Sequence, residues 1–114
     1  MHELAVTESI VEIVCRHAER AKAKRIRRIY LVIGDLSSIV DDSVQFYFDF
    51  VSQDTLAQGA ELVFRRIPVE LVCEACGHRW NPPDADWVCP ACGERRGRVL
   101  AGREFYVESI EVDT

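Results

Sequence analysis

The sequence predicts an α+β fold: a small mixed three-stranded sheet carrying two helices, with a four-cysteine ribbon inserted before the last strand. Three observations lead there. Apolar residues recur at helical spacing over residues 4–23 and 43–52. The apolar period shortens to that of a strand over residues 25–34, 60–72 and 105–112. Two Cys-x-x-Cys-Gly pairs, opening at Cys73 and Cys89, separate the last two strands.

In the first helix Leu4, Val11, Val14, Cys15, Ala18 and Ala21 share one side, and Glu12, Arg16, Glu19 and Arg20 take the other. Glu3 and Glu8 lie early and Lys22 and Lys24 late, which complements the helix dipole. Cys15, alone in this apolar pattern, reads as a small core residue, and His17 as a surface or packing residue. In residues 25–34, Ile29, Leu31 and Ile33 alternate with Tyr30 and Val32, so both faces are apolar and the strand is expected at the centre of the sheet. The segment Gly34-Asp35-Leu36-Ser37-Ser38 breaks the run. Asp41 or Asp42 is then placed to cap a helix over 43–52, with Val44, Tyr47, Phe48 and Val51 as its stripe. Phe46 and Phe50 widen that stripe, and the aromatic residues are assigned to core packing.

After a turn at 56–59, Leu62, Phe64 and Arg66 alternate with Val63, Arg65 and Ile67. Pro68 has no N–H to donate to a ladder, so it marks a sheet edge or the point where the chain leaves the sheet. The strand ending before the ribbon and the closing strand, with Phe105, Tyr106, Val107, Ile110 and Val112, are expected to pair as a hairpin with the ribbon at its tip. Inside the ribbon Trp80 and Trp87 are expected to form a small core, with Asn81-Pro82-Pro83-Asp84 as the turn between the halves. The domain division is therefore 1–69, completed by 103–114, and a ribbon over 70–102.

Composition bounds the function. A chain of 114 residues, 48% hydrophobic and 29% charged, forms one domain or a modest domain with a small appendage that needs help to hold together. No apolar stretch approaches a membrane span, and Glu3 and Glu8 stand where a secretory leader would be basic and then apolar, so the expected location is the cytoplasm, without membrane attachment. Nineteen acidic against fourteen basic residues oppose bulk affinity for nucleic acid. The local run Arg20, Lys22, Lys24, Arg25, Arg27 and Arg28 is read as a solvated face.

Cys73, Cys76, Cys89 and Cys92 have the spacing of a tetrathiolate zinc site, with a glycine closing each half. A redox dithiol would need one pair only, and a disulfide framework does not suit the rest of the composition. His78 follows the first half closely, but four cysteines already complete a tetrahedron, so it is placed outside the ligand set. Such a filled site leaves no open position for catalysis, and no other serine, cysteine or histidine forms a nucleophile or acid–base constellation; an enzyme is not expected.

At the other end, Met1-His2-Glu3 offers an α-amine, the His2 amide nitrogen and the His2 imidazole, which close fused five- and six-membered chelate rings around one ion. Planar nitrogen donors suit Ni(II) or Cu(II) and suit zinc poorly.

Met1-His2-Glu3-Leu4 opening an amphipathic helix, the Gly34-Asp35-Leu36-Ser37 turn after a strand, the paired Cys-x-x-Cys-Gly halves and the ending Val107-Glu108-Ser109-Ile110-Glu111-Val112 together resemble the HypA/HybF nickel metallochaperones over the whole chain. The resemblance implies a chaperone that helps insert nickel into [NiFe] hydrogenase, with nickel held through His2 and Glu3 and zinc through Cys73, Cys76, Cys89 and Cys92. It further implies work with the nickel-handling GTPase HypB, delivery to the hydrogenase large subunit and, in some members, service to urease maturation. One place departs from the pattern: where many members carry an acidic residue after the Gly-acidic-Leu-Ser turn, this chain has Val40, followed by Asp41 and Asp42. Either aspartate reaches the ion if the loop shifts by a residue, and Asp41 is the one carried over as an additional nickel ligand.

A weak, exchangeable nickel site beside a closed zinc site suits a chaperone, since cargo can leave without unfolding anything. Protonation of His2 should weaken nickel binding as pH falls through the imidazole range. The rival reading, a zinc-ribbon nucleic-acid adaptor, rests on the ribbon and the basic run, and a steeply salt-dependent DNA or RNA shift would support it. The strand edge beside Pro68 and the apolar second helix leave room for a homodimer.

Overall fold

The computed structural model describes residues 3–114, folded as α1 (Glu3–Arg20), β1 (Arg25–Gly34), α2 (Asp41–Val51), β2 (Glu61–Ile67), β3 (Glu70–Cys73), β4 (Arg79–Trp80), β5 (Gly97–Ala101) and β6 (Phe105–Asp113). These strands make two three-stranded sheets, β2-β1-β6 and β4-β3-β5. The first carries both helices and the main core.

Helix α1 buries Val6, Thr7, Ile10, Val11, Val14 and Ala18, a stripe at spacings of one, three and four that faces α2 and the sheet. The buried Thr7 hydroxyl is satisfied by donating to the Glu3 carbonyl at 2.6 Å. The helix ends three residues before the expected stop, because Lys22 turns to φ 56°. The Ala23 amide then bonds the Ala18 carbonyl at 2.9 Å and the Lys22 amide bonds Glu19 at 3.0 Å, the paired closure of a Schellman motif. Cys15 packs against the core and His17 is exposed, as their positions in the pattern suggested.

Strand β1 is central, and Ile29, Leu31, Val32 and Ile33 are fully buried. It runs parallel to β2 and antiparallel to β6. The mixed sheet is as expected, but the hairpin is not: β2 and β6 lie on opposite sides of β1. The strand richest in apolar residues takes the position where both of its edges are paired, and both of its faces are buried over the half from Leu31 to Gly34. The predicted single strand over 60–72 is likewise two strands in two sheets, and Pro68 is where the chain leaves the first.

On the side of the sheet away from the helices, the basic run is met by carboxylates. Arg28 lies 2.7 Å from Glu61 and 2.8 Å from Glu111, and Arg25 lies 2.6 Å from Asp113. Arg27 adds a contact to Asp113 at 3.4 Å. Bonds from Arg28 and Tyr30 hold the Glu111 carboxyl below its ordinary range, and the bond from Arg25 does the same for Asp113. Much of the positive charge of this run is therefore spent within the fold.

Helix α2 corrects two expectations. Its N-cap is Val40, and Asp41 and Asp42 lie inside the first turn, so neither caps it; the Val40 carbonyl accepts from the Ser43 and Val44 amides at 3.1 Å each. The acidic residues serve the helix dipole from that first turn instead. Phe46 and Phe50 do not widen the buried stripe: Val44 and Phe48 are buried, whereas Phe46 is 64% and Phe50 48% exposed. Phe46 stands two residues from each buried position, roughly 200° around the helix, which carries it to the far side. There Phe46, Tyr47 and Phe50 pack edge to face with ring centres 5.3 to 5.9 Å apart.

The second sheet has little apolar interior. Leu71, Cys73 and Cys89 are its deeply buried side chains. Trp80 and Trp87 are half-buried and do not form the expected closed core. Trp80 lies over Gly97, where an added Cβ would come within 3.3 Å of its ring. The described residues extend 55 × 24 × 16 Å with a radius of gyration of 17.8 Å. A compact chain of this length would have about 13 Å, so the molecule is elongated, with two bodies sharing one chain.

Candidate metal centre

The four cysteines come together. Cys73, Cys76, Cys89 and Cys92 place their sulfur atoms all within 4.8 Å of one another. Cys73 Sγ is 3.6 Å from Cys92 Sγ, and Cys76 Sγ is 3.7 Å from Cys89 Sγ. A sulfur tetrahedron with metal–sulfur bonds of about 2.3 Å has edges of about 3.8 Å, so the cluster fits a tetrahedral ion of zinc's size.

Each half is built the same way. The Cys73 amide bonds the His78 carbonyl at 2.8 Å and the Gly77 amide bonds the Cys73 carbonyl at 2.8 Å; the Cys89 amide bonds Glu94 and the Gly93 amide bonds Cys89, both at 2.9 Å. Closing these loops requires Gly77 and Gly93 at φ 81° and 79°, a conformation a side chain would strain. In each half the first cysteine is buried and the second exposed. The Ala75 amide points at Cys73 Sγ from 3.4 Å, the kind of N–H donation that stabilises thiolate charge.

The thiols also bias one another's protons. Burial pushes Cys89 up, but the Cys92 and Ala91 amides and the neighbouring thiols outweigh it and bring the group down to about 7. The Glu94 amide favours the Cys92 thiolate, yet burial and bonds to the other three sulfurs prevail and raise it to about 12. A divalent ion bound here would replace those protons. His78 stays outside the sulfur cluster; its ring is exposed and stacks on Trp80 with centres 6.1 Å apart.

The N-terminal candidates are differently placed. His2 lies outside the described residues. Glu3 opens α1, and its carboxylate Oε2 accepts from the Val40 amide at 3.4 Å, which joins the start of α1 to the segment entering α2. Asp41 is the next residue along. Asp41 Oδ1 is closed to solvent and has no hydrogen-bond partner among the described residues, although Arg66 Nε stands 3.3 Å away. Arg66 also donates from Nη2 to the Ile39 carbonyl at 2.9 Å. The sequence alone did not single Arg66 out, but a signal was present: a charged residue in phase with Leu62 and Phe64 on the apolar side of a strand.

Between the two regions, the Gly34-Asp35-Leu36-Ser37 turn has a structural reason. A Cβ on Gly34 would fall 2.1 Å from the Gly102 carbonyl oxygen, so the returning chain can pass only a glycine. The Gly34 amide bonds Glu104 at 2.7 Å, Asp35 bonds Ile67 at 3.0 Å and Leu36 bonds Gly102 at 2.8 Å. This turn thereby ties the first sheet to both crossings into the second.

Among the described residues no helix is long and apolar enough to cross a membrane. Residues 1–112 match the family model described as hydrogenase/urease nickel incorporation, metallochaperone, hypA. The chain is 50% identical to the hydrogenase maturation factor HypA of Dehalococcoides mccartyi over 99% of its own length and 95% of the relative. It is 40% identical to that of Caldanaerobacter subterraneus subsp. tengcongensis over 99% and 100%. In three dimensions it superposes on the solution structure of the Ni metallochaperone HypA from Helicobacter pylori with a TM-score of 0.68 at 27% identity, covering 99% of this chain and 98% of that one. A second HypA solution structure gives 0.74 at 28%, covering 98% and 96%. The chain belongs to the HypA family, metallochaperones for nickel incorporation into hydrogenase and urease rather than enzymes.

Proposed function

We propose that this chain carries Ni(II) at its N-terminal end and delivers it to the large subunit of [NiFe] hydrogenase, while zinc occupies the four-cysteine cluster as a structural ion. The observation that carries this reading is the contrast between two donor sets. Four thiolates from two closed loops leave a tetrahedral ion no open position, which suits retention. Glu3, at the tip of α1 beside the Val40 amide, sits next to His2 in the chain, and donors at a helix start can surrender a cargo without loss of the core.

Nickel ligation is assigned to His2 and Glu3, with Asp41 as an additional oxygen donor one residue beyond the contact that Glu3 makes. The working division is a nickel-binding unit of residues 1–69 completed by 103–114 and a zinc unit of 70–102, supported by the two separate sheets and the elongated shape. In this reading the chain works in the cytoplasm with HypB, and urease maturation proteins are a second class of client. The exposed aromatic face of α2 is available for a homodimer contact.

The test is complementation. In cells lacking the chain, native protein should restore nickel-dependent hydrogenase maturation and His2→Ala should not, although it accumulates folded and zinc-loaded. Full maturation with His2→Ala would remove the N-terminal site from the account.

A further inference from the structure

The segment that enters α2 gathers negative charge at the end of the molecule where Glu3 lies. Asp35 and Asp41 both face Arg66, at 3.9 and 3.3 Å from its Nε. Arg66 belongs to β2, in phase with the buried Leu62 and the half-buried Phe64. Its guanidinium does two separable things. One N–H group fastens the 37–41 segment to the sheet by bonding the Ile39 carbonyl at 2.9 Å. The charge, meanwhile, faces Asp41 Oδ1 without forming an aligned hydrogen bond to it.

That second arrangement is unusual, since arginine–carboxylate pairs gain most from a fork of two aligned N–H donors. Here the Asp41 charge is balanced but its oxygen is not saturated. The pair is also partly exposed, 38% for Arg66 and 36% for Asp41, so it is weak enough for a stronger cation to displace.

We propose that Arg66 is a positioning residue for the nickel cargo: it serves as the counter-charge of Asp41 while the site is empty and yields that carboxylate when nickel binds. This rests on the reading that nickel enters at the N-terminal end with Asp41 as an oxygen donor. Arg66 then competes with the ion for one ligand, which holds affinity down and helps Asp41 let go when an acceptor takes the metal. Arginine stays protonated throughout the working range, so the competition does not fade as pH rises.

The experiment is Ni(II) titration of the zinc-loaded full chain, read by calorimetry, on native protein, Arg66→Gln, Asp41→Asn, the double variant and His2→Ala. Arg66→Gln removes the charge and, being two bonds shorter than the Nη2 arm, also gives up the bond to the Ile39 carbonyl; Arg66→Lys, which gives up the guanidinium fork but retains the charge, is the control for that lost bond and the second variant if glutamine unfolds the segment. Arg66→Gln should bind nickel more tightly, on the order of tenfold, by the same factor at pH 7 and pH 8. Asp41→Asn should bind more weakly, and adding Arg66→Gln to it should change nothing further. Arg66→Lys should stay close to native affinity. Equal or weaker nickel binding by folded Arg66→Gln would overturn the proposal, as would tightening that persists without Asp41, or tightening by Arg66→Lys equal to that expected of glutamine. The underlying reading fails separately: nickel affinity unchanged by His2→Ala would dismiss the N-terminal site itself, whereas loss with His2→Ala and no tightening with Arg66→Gln would dismiss only the role of Arg66.

Discussion

The two sheets of this molecule are held by different physics. The first is a hydrophobic assembly: side chains such as Ile10, Val14, Ile29, Leu31, Val44 and Phe48 meet between two helices and one face of β2-β1-β6. The second has Leu71 and two cysteine side chains as its buried interior, and Trp80 and Trp87 are themselves only half-buried. Apolar burial on that scale cannot offset the ordering of some thirty residues at about 1–2 kcal/mol each for backbone alone. The sulfur cluster must supply the difference. In the proposed reading metal dependence is a property of one sheet, which leaves the other free to bind and release a cargo.

The comparison breaks most visibly when the ion is removed. Chelation, or Cys73→Ser, should abolish ordered structure across 70–101 while the helices persist, because structural zinc binding contributes on the order of 10 kcal/mol in comparable small modules. Amide exchange that became rapid in the second sheet and stayed slow in β1 would match this, and loss of the helical circular dichroism in step would contradict it. The converse perturbation is Phe48→Ala, which should lower the stability of the first sheet by about 3–5 kcal/mol in chemical unfolding without altering zinc content. Gly34→Ala tests the tie between the sheets. Its Cβ has no room against Gly102, so a loss of about 2–3 kcal/mol is expected, in the range of overpacked sites. A change below about 0.5 kcal/mol would mean that the returning chain shifts freely.

The smallest effect belongs to the polar face of the first sheet. Arg28 and Arg25 hold Glu111 and Asp113 below their ordinary range, so their stabilisation is fully present at neutral pH and is lost as pH falls through the depressed folded values. From about pH 5 to pH 3, across the ordinary carboxylate range, the melting temperature of native protein should fall more than that of Glu111→Gln. Both carboxylates are more than a third exposed, so the difference is small; identical acid profiles would mean that these ion pairs add nothing.

Much of this was legible in the chain, and most of the exceptions depend on contacts between segments far apart in sequence. The central strand could be read because Ile29, Leu31 and Ile33 alternate with apolar neighbours, and the sulfur site because ligand spacing reports local geometry directly. Strand order could not, since β2 and β6 both look like partners for a hairpin until the position of β1 between them is known. Hydrophobicity alone assigns Phe46 and Phe50 to the core, whereas helical angle turns them outward. The N-cap is Val40, in extended backbone at φ −103° and ψ 124°, and its amide meets the carboxylate of Glu3, thirty-seven residues away in sequence. The role of Arg66 is likewise silent in the sequence, because its partners lie in segments that only the fold brings to it.

The central claim is that cargo and structural ion occupy separate donor sets, and metal content with stoichiometry tests it most directly. Native protein should hold about one zinc per chain that resists competition and one nickel that competes out easily, with His2→Ala losing the nickel and keeping the zinc. Nickel that survives in His2→Ala, or that leaves only when the four cysteines are replaced, would contradict the account.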